Sequence, residues 1–371
     1  MNEKSIINNL STISLPQIKE RIKRIIEDIP KEKGKIITYS KNFTLSLSNY
    51  CINQCKYCFY NHKIFSETGN KNTILLENDK ISILVENALK YDCKEGLLIS
   101  GEDPGSFPEV KVKLERLKIR NYIFYVKKVC DFLLNKKILP HINIGLVKID
   151  DFKILKEYTA SMGLMLESTS PRLYEKGGVH ENSPSKLPNK RIKHLINAGK
   201  LKIPFTTGLL IGIGESLKDR IKDLLLIKNI HEKYGHIQEI IIQNFEKKEG
   251  INYQPKRKVP IEELLKITGI ARIMFNNEIS IQVPPNLISG FEKDFIEMGI
   301  NDFGGISPIT IDHINPKKKW PQIENLKKIC KMNGYNLKER LAVYDKFKNN
   351  SSFLSKRVRN IIHKYTQIKE I

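Results

Sequence analysis

Residues 51 to 60 read CINQCKYCFY and carry thiols at Cys51, Cys55 and Cys58, in the spacing C-x3-C-x2-C. Three soft donors so close together form a metal-binding arrangement, because thiolates bind zinc and iron–sulfur clusters. A structural zinc site closes with four protein ligands, and His62 is the nearest fourth. An iron–sulfur cube is ordinarily held by four cysteines, so three thiolates leave one iron open to a ligand from outside the protein. The bare spacing admits both chemistries. Cys93, Cys130 and Cys330 are scattered and read as small buried hydrophobes, with no disulfide frame implied.

A loop of thiols must be held by the elements on either side of it. Strand-like runs occur at FTLSLSNY (43–50), GLLISG (96–101), HINIGL (141–146) and MGLMLES (162–168). Four more follow at IPFTTGLLIGIG (203–214), IQEIIIQNF (237–245), ISIQVPP (279–285) and FGGISPIT (303–310). Lys- and Glu-rich stretches with helical spacing lie between them. In LKDRIKDLLLIKNIHEKY the apolar Ile221, Leu224, Leu225, Ile227 and Ile230 recur every three or four residues, the pattern of a helix laid on a sheet. Eight strands, each followed by a helix over roughly 270 residues, predict an α/β fold of the (β/α)8 TIM-type barrel. An open doubly wound sheet would carry a glycine-rich fingerprint after its first strand, and none is there. GIGESL has Leu217 where the third glycine of G-x-G-x-x-G belongs. The division expected is an N-terminal helical extension over 1–40, the barrel over 41–311, and a C-terminal helical extension over 312–371 packed on the barrel. Within the first of these, LPQIKERIKRIIEDI predicts a helix closing the underside. Barrel chemistry gathers at the carboxyl rim of the strands, and the cysteine loop follows the first strand.

C-x3-C-x2-C after the first strand of a barrel resembles the motif of the radical S-adenosylmethionine (SAM) enzymes. The resemblance implies a 4Fe–4S cluster on Cys51, Cys55 and Cys58, SAM as ligand of the open iron, and an external one-electron reductant. It also implies cleavage of SAM to a 5′-deoxyadenosyl radical, and an aromatic near the adenine at Tyr57. Other rim residues match what SAM offers. Glu102, in ISGEDP, can receive its ammonium, and Gly101 lets backbone approach closely. Glu167, in LEST, can bond the ribose hydroxyls, and the planar fork of Arg191 can pair with the carboxylate. Gly212 and Gly214, in GLLIGIGE, leave room for adenine. Singly, each is equally a surface carboxylate or a turn glycine; their placement at successive strand ends groups them.

Seven stretches, in order, resemble the radical SAM subunit of the 7,8-didemethyl-8-hydroxy-5-deazariboflavin synthases, the CofG family. They are ITYSKNFTLSLSNYC, LPHINIG, SMGLMLESTSPRLYE, GLLIGIGES, YGHIQEIIIQNF, IQVPPNL and INDFGGISPITIDHINP, and the resemblance runs from about residue 36 to 345. The family's subunit makes the deazaflavin chromophore of coenzyme F-420. It oxidises and cyclises the 4-hydroxybenzyl adduct of 5-amino-6-(D-ribitylamino)uracil, losing ammonia, and a CofH-like radical SAM partner supplies that adduct. Such a small-molecule substrate asks for amides and hydroxyls. Asn143, Gln243, Asn244, Gln282 and Asn286 provide them, and Asp312 or His313 can manage protons during ring closure. Each of these also has a plain reading as a turn or cap residue.

The 371 residues carry a formal net charge of +22, which on its face suggests a polyanionic partner. The lysines are spread along the whole chain, without basic blocks interleaved with aromatics, so a solvated basic surface is expected in place of a nucleic-acid face. No apolar run reaches the length of a membrane span and no signal peptide is visible at the start, so the expected location is the cytoplasm. Two rivals remain. One is the CofH-like partner or another radical SAM enzyme acting on an aromatic or uracil substrate. The other is a zinc-stabilised basic nucleic-acid-binding protein with Cys51, Cys55, Cys58 and His62 as ligands.

Overall fold

Eight parallel strands close into a barrel in the computed structural model, which describes residues 2–29, 35–67, 71–248, 250–251, 253–255 and 257–367. They are β1 (Ile36–Ser48), β2 (Glu95–Ser100), β3 (Leu139–Asn143), β4 (Ser161–Gly163), β5 (Phe205–Ile211), β6 (Ile237–Asn244), β7 (Ser280–Gln282) and β8 (Asp302–Ile306). Each pairs with its neighbours in chain order, and β1 closes the ring by pairing with both β2 and β8. Helices cross between successive strands and cover the outer face. Every residue of β5, FTTGLLI, is buried, as expected of a strand covered on both faces. Gly208 on β5 admits close backbone approach: a Cβ there would collide with the Ile241 carbonyl of β6.

The helix Leu217–Tyr234 shows why the crossovers form where they do. Ser216 and Asp219 make a reciprocal capping box at its start, and Gly235 ends it in the left-handed region at φ 65°. Its apolar stripe, Ile221, Leu224, Leu225, Ile227 and Ile230, is buried.

The helix Leu15–Glu27, also opened by a capping box at Ser14 and Gln17, lies on the outside of the helix ring and not under the strands. Its Ile18 and Ile22 pack against Gly269 of the helix Ile261–Phe275, where the missing side chain leaves a seat for them. The underside is filled from the other end of the chain. A ninth strand, β9 (Asn336–Arg340), runs parallel to the first half of β1 with Asn336 opposite Ile36. Arg340, at its end, pairs with Asp302 of β8 at 2.6 Å and with Glu239 of β6 at 3.0 Å. The residues after 312 are therefore mixed in structure, and the final described helix, Lys356–Gln367, packs Val358 and Ile362 with Leu134, Leu139 and Ala160. Among the described residues, no helix is long and apolar enough to cross a membrane.

Candidate active site

The chain leaves β1 at Ser48 and enters the cysteine loop at the carboxyl end of the barrel. Backbone bonds pin this loop from two sides. The Ile52 amide donates to the Glu102 carbonyl at 3.0 Å, at the end of β2. The Gln54 and Lys56 amides donate to the carbonyls of Asn182 and Val179, both at 3.0 Å, in the segment after β4. Asn53 adds a side-chain bond to Ser185 at 2.5 Å and accepts from the Ser185 amide at 3.2 Å. The loop is thus built into the rim with its thiols fixed.

Cys55 is buried, Cys51 and Cys58 are half-buried, and all three are free. They line one wall of a cavity of about 260 Å³. Burial, with a smaller addition from Cys58 and Cys55, pushes the Cys51 thiol up to about 12. Burial also pushes Cys55 up to about 11, against the pull of the Lys186 ammonium. Such thiols ionise only against a strongly cationic centre, which is what a cluster of iron ions offers them. His62 does not line the cavity; its Nδ1 accepts from the Cys51 amide at 3.3 Å and its ring stacks on Tyr50 at 4.6 Å. Among the described residues, no group of three or more His, Cys, Asp or Glu side chains is placed to hold a single metal ion. Cys51, Cys55 and Cys58 all line the one cavity, a three-thiol donor set that leaves a fourth position to a ligand from outside the protein.

Tyr57, Gly101, Glu102, Glu167, Arg191, Asn143, Gln243 and Asn244 line the same cavity. Glu167 stands at the centre of a bonded group. Its carboxylate accepts from Tyr57 Oη at 2.7 Å and Lys186 Nζ at 2.5 Å, and His180 Nε2 lies 3.3 Å away. Burial alone would raise its pKa, but the Lys186 and Arg191 cations outweigh burial and hold it well below the ordinary carboxylate range. Arg191 is buried and donates to the Met165 carbonyl, while its Nε has no partner. A buried guanidinium with an unmet donor beside a cavity is a receptor for an anion. Glu102 is turned toward the loop after β3, where its Oε1 accepts from the Leu146 amide at 2.6 Å and Gly145 leaves space for it. A Cβ on Gly101 would collide with the Tyr50 carbonyl, so glycine there lets β2 meet the cysteine loop.

The remaining expected residues lie elsewhere. Gly212 and Gly214, at φ 99° and 119°, line a neighbouring groove, and the Gly212 amide donates to Glu215 at 2.7 Å. Gln282 is buried against Gly304 within the barrel. Asn286 donates to Asp312 at 2.9 Å, and Asp312 also accepts from the Ile314 and Asn315 amides at 2.8 and 3.0 Å, so this pair braces the loop after β8. Neither residue lines the cavity, and nor does His313, whereas Ile314 and Asn315 do. Sequence reasoning missed Lys186, His180, Asn53 and Lys248. They come from irregular segments with no periodicity, where only the density of polar residues in HENSPSK offered a signal.

Comparison with known proteins bears directly on this cavity. The Radical SAM superfamily profile matches residues 45–227. A 7,8-didemethyl-8-hydroxy-5-deazariboflavin synthase from Methanothermobacter thermautotrophicus is 44% identical over 322 residues, 87% of this chain and 95% of the relative. The synthase of that name from Methanocaldococcus jannaschii is 40% identical over 371 residues, the whole of both chains. Two solved structures share the fold. HydG, a maturase of the FeFe-hydrogenase, aligns with TM-score 0.70 and 18% identity over 97% of this chain and 83% of its own. Methylornithine synthase aligns with TM-score 0.65 and 17% identity over 90% of this chain and 93% of its own. Radical SAM enzymes use a 4Fe–4S cluster and SAM, and the three free thiols and the unmet Arg191 donor fit those groups. The chain is an enzyme of the Radical SAM superfamily and belongs to the 7,8-didemethyl-8-hydroxy-5-deazariboflavin synthase family.

Proposed function

We propose that this chain closes the deazaflavin ring, converting the 4-hydroxybenzyl adduct of 5-amino-6-(D-ribitylamino)uracil to 7,8-didemethyl-8-hydroxy-5-deazariboflavin with release of ammonia. One observation carries this reading: a single cavity joins the three-thiol loop to an amide-bearing wall of Asn143, Gln243, Asn244 and Asn315. Cys51, Cys55 and Cys58 would hold the cluster, which together with SAM would supply the radical chemistry that removes a hydrogen from the substrate. The protein's own groups bind and orient. Arg191, whose side chain lines the cavity, would receive the carboxylate of SAM, and Glu102 the ammonium. Tyr57, held by Glu167 and His180, gives the adenine a fixed aromatic neighbour, with Gly212 and Gly214 keeping the adjoining turn open. The amides supply donors and acceptors for ring carbonyls, ring N–H groups and ribityl hydroxyls without adding charge.

A CofH-like radical SAM protein delivers the adduct, and an external one-electron reductant reduces the cluster. The cytoplasm suits this chemistry, because six free thiols persist in a reducing compartment. The test is anaerobic reconstitution with iron and sulfide, followed by SAM, reductant and the benzyl–uracil adduct. Formation of 5′-deoxyadenosine together with a fluorescent deazaflavin is expected. Formation of 5′-deoxyadenosine alone would move the assignment to another radical SAM reaction.

A further inference from the structure

Three cations line the cavity, and two of them face carboxylates of the site. Lys186 pairs with Glu167 at 2.5 Å, and Arg191 donates to the Met165 carbonyl while facing Glu167 and Glu102. Lys248, in the segment after β6, differs. Its Nζ reaches the Glu246 carbonyl at 3.3 Å and lies 5.3 Å from the centroid of the Phe245 ring, and among the described residues no carboxylate pairs with it. The carboxylates whose charge reaches Lys248 are taken up elsewhere. Glu246 accepts from Asn244 Nδ2 at 2.7 Å and pairs with Lys318 at 3.0 Å. Asp312 is bonded by Asn286, by the side chain of Asn315 at 3.0 Å and by two backbone amides. Burial holds the Lys248 ammonium below the ordinary lysine pKa, although Cys58, Asp312 and Glu246 all act to raise it. A half-buried ammonium with one carbonyl acceptor and no paired carboxylate keeps donors free for a ligand in the cavity. Gln243, Asn244 and Asn315 stand on the same cavity lining, so such a ligand would meet amides beside the ammonium.

We propose that Lys248 is a specificity-determining residue of this site, its ammonium receiving a conjugated ring oxygen of the substrate that carries or develops negative charge. The assignment rests on the deazaflavin reading above. The pyrimidinedione and the phenol both present such an oxygen, so one chemistry has two sources within the substrate. A methionine at this position keeps the length and apolar stem and removes the donor. An arginine keeps the charge.

The test uses cluster-reconstituted protein with SAM present, under anaerobic conditions, and measures equilibrium binding of the adduct to wild type, K248M and K248R. Binding in K248M is expected to weaken roughly tenfold or more, the usual worth of a charged hydrogen bond, with part recovered in K248R. SAM affinity is expected to hold, and the rise in KM for the adduct to exceed any fall in kcat. Two fragments, 5-amino-6-(D-ribitylamino)uracil and 4-methylphenol, identify the oxygen by which of them loses affinity in K248M. Adduct binding within twofold of wild type in K248M would overturn the assignment, and so would an equal loss of SAM affinity. If the wild type itself neither binds the adduct nor turns it into a deazaflavin, the functional reading fails and the assignment falls with it.

Discussion

Glu167 combines backbone strain with a buried charge at one position. Its φ of 64° lies in the left-handed region that non-glycine residues seldom adopt, and the bonds from Tyr57, Lys186 and His180 hold it there. Through Tyr57, this carboxylate also fixes the cysteine loop from the β4 side of the barrel. Removing Lys186 leaves the charge with weaker compensation. Lys186→Met is therefore expected to lower unfolding free energy by about 1.5–3 kcal/mol in anaerobic urea titrations. In a double-mutant cycle, Glu167→Gln should cost less in the Lys186→Met background than alone, and additive costs would show that the pair is not coupled. At the loop itself, Cys55→Ala is expected to abolish iron and sulfide incorporation while the far-ultraviolet circular dichroism stays that of the barrel. Full cluster content in that variant would remove Cys55 from the ligand set. The thiol-bearing loop at the cavity was legible because three thiols at short spacing have few other uses. Lys186, His180 and Lys248 were not, because their roles arise where separate loops meet, and no local pattern marks such a meeting.

Among elements, the strand that the sequence hid is the most informative. β9 reads NLKER, too polar for a buried strand, and its side chains are indeed half-buried or exposed. It pairs by backbone with β1, so its register owes little to apolar alternation. The start of β1 was hidden for a related reason: the runs that signal core strands begin only at Phe43, while Ile36 to Lys41 serve β8 and β9 at the underside. The strand-like run at 162–168 is longer than β4 because the ladder to β5 is interrupted after Leu164 and resumes at Glu167, whose amide donates to the Gly208 carbonyl at 2.9 Å. The run at 203–214 is longer than β5 because its apolar residues continue into the rim loop. Arg340 carries the energetic weight of this end. Burial costs it solvation, but Asp302 and Glu239 more than compensate and raise its pKa well above the ordinary value. Glu239 in turn is pushed up to about 7 by burial despite Arg340. Arg340→Met strands two acids, and a loss of about 3–5 kcal/mol in urea unfolding is expected. A loss under about 1 kcal/mol would mean that water reaches the underside and solvates them.

On the scale of the whole molecule, buried imidazoles set the acid limit. His194 is held neutral by burial and by Arg191, and His236 by burial and by His231, each lowered to about 3. Phe205 and Tyr234 flank the His236 ring. The unfolded chain binds protons on these groups near pH 6.5, and the native chain binds them only near pH 3. The stability they support is present above about pH 6.5 and is lost as pH falls toward 3, by up to about 1.4 kcal/mol per pH unit for each histidine. Urea midpoints measured between about pH 7 and 4 should fall accordingly, and His236→Leu should flatten the slope. An unchanged slope would assign the acid limit to other groups.

The pairing of Asn336 with Ile36 also has a temporal consequence. β1 leaves a ribosome before a partner roughly three hundred residues downstream, so the edge that β9 covers stays unpaired until that partner is made. The thiol-bearing rim, whose strands are all made earlier, can assemble before the underside is sealed. In a growing chain, the chamber for chemistry can therefore be built before its foundation.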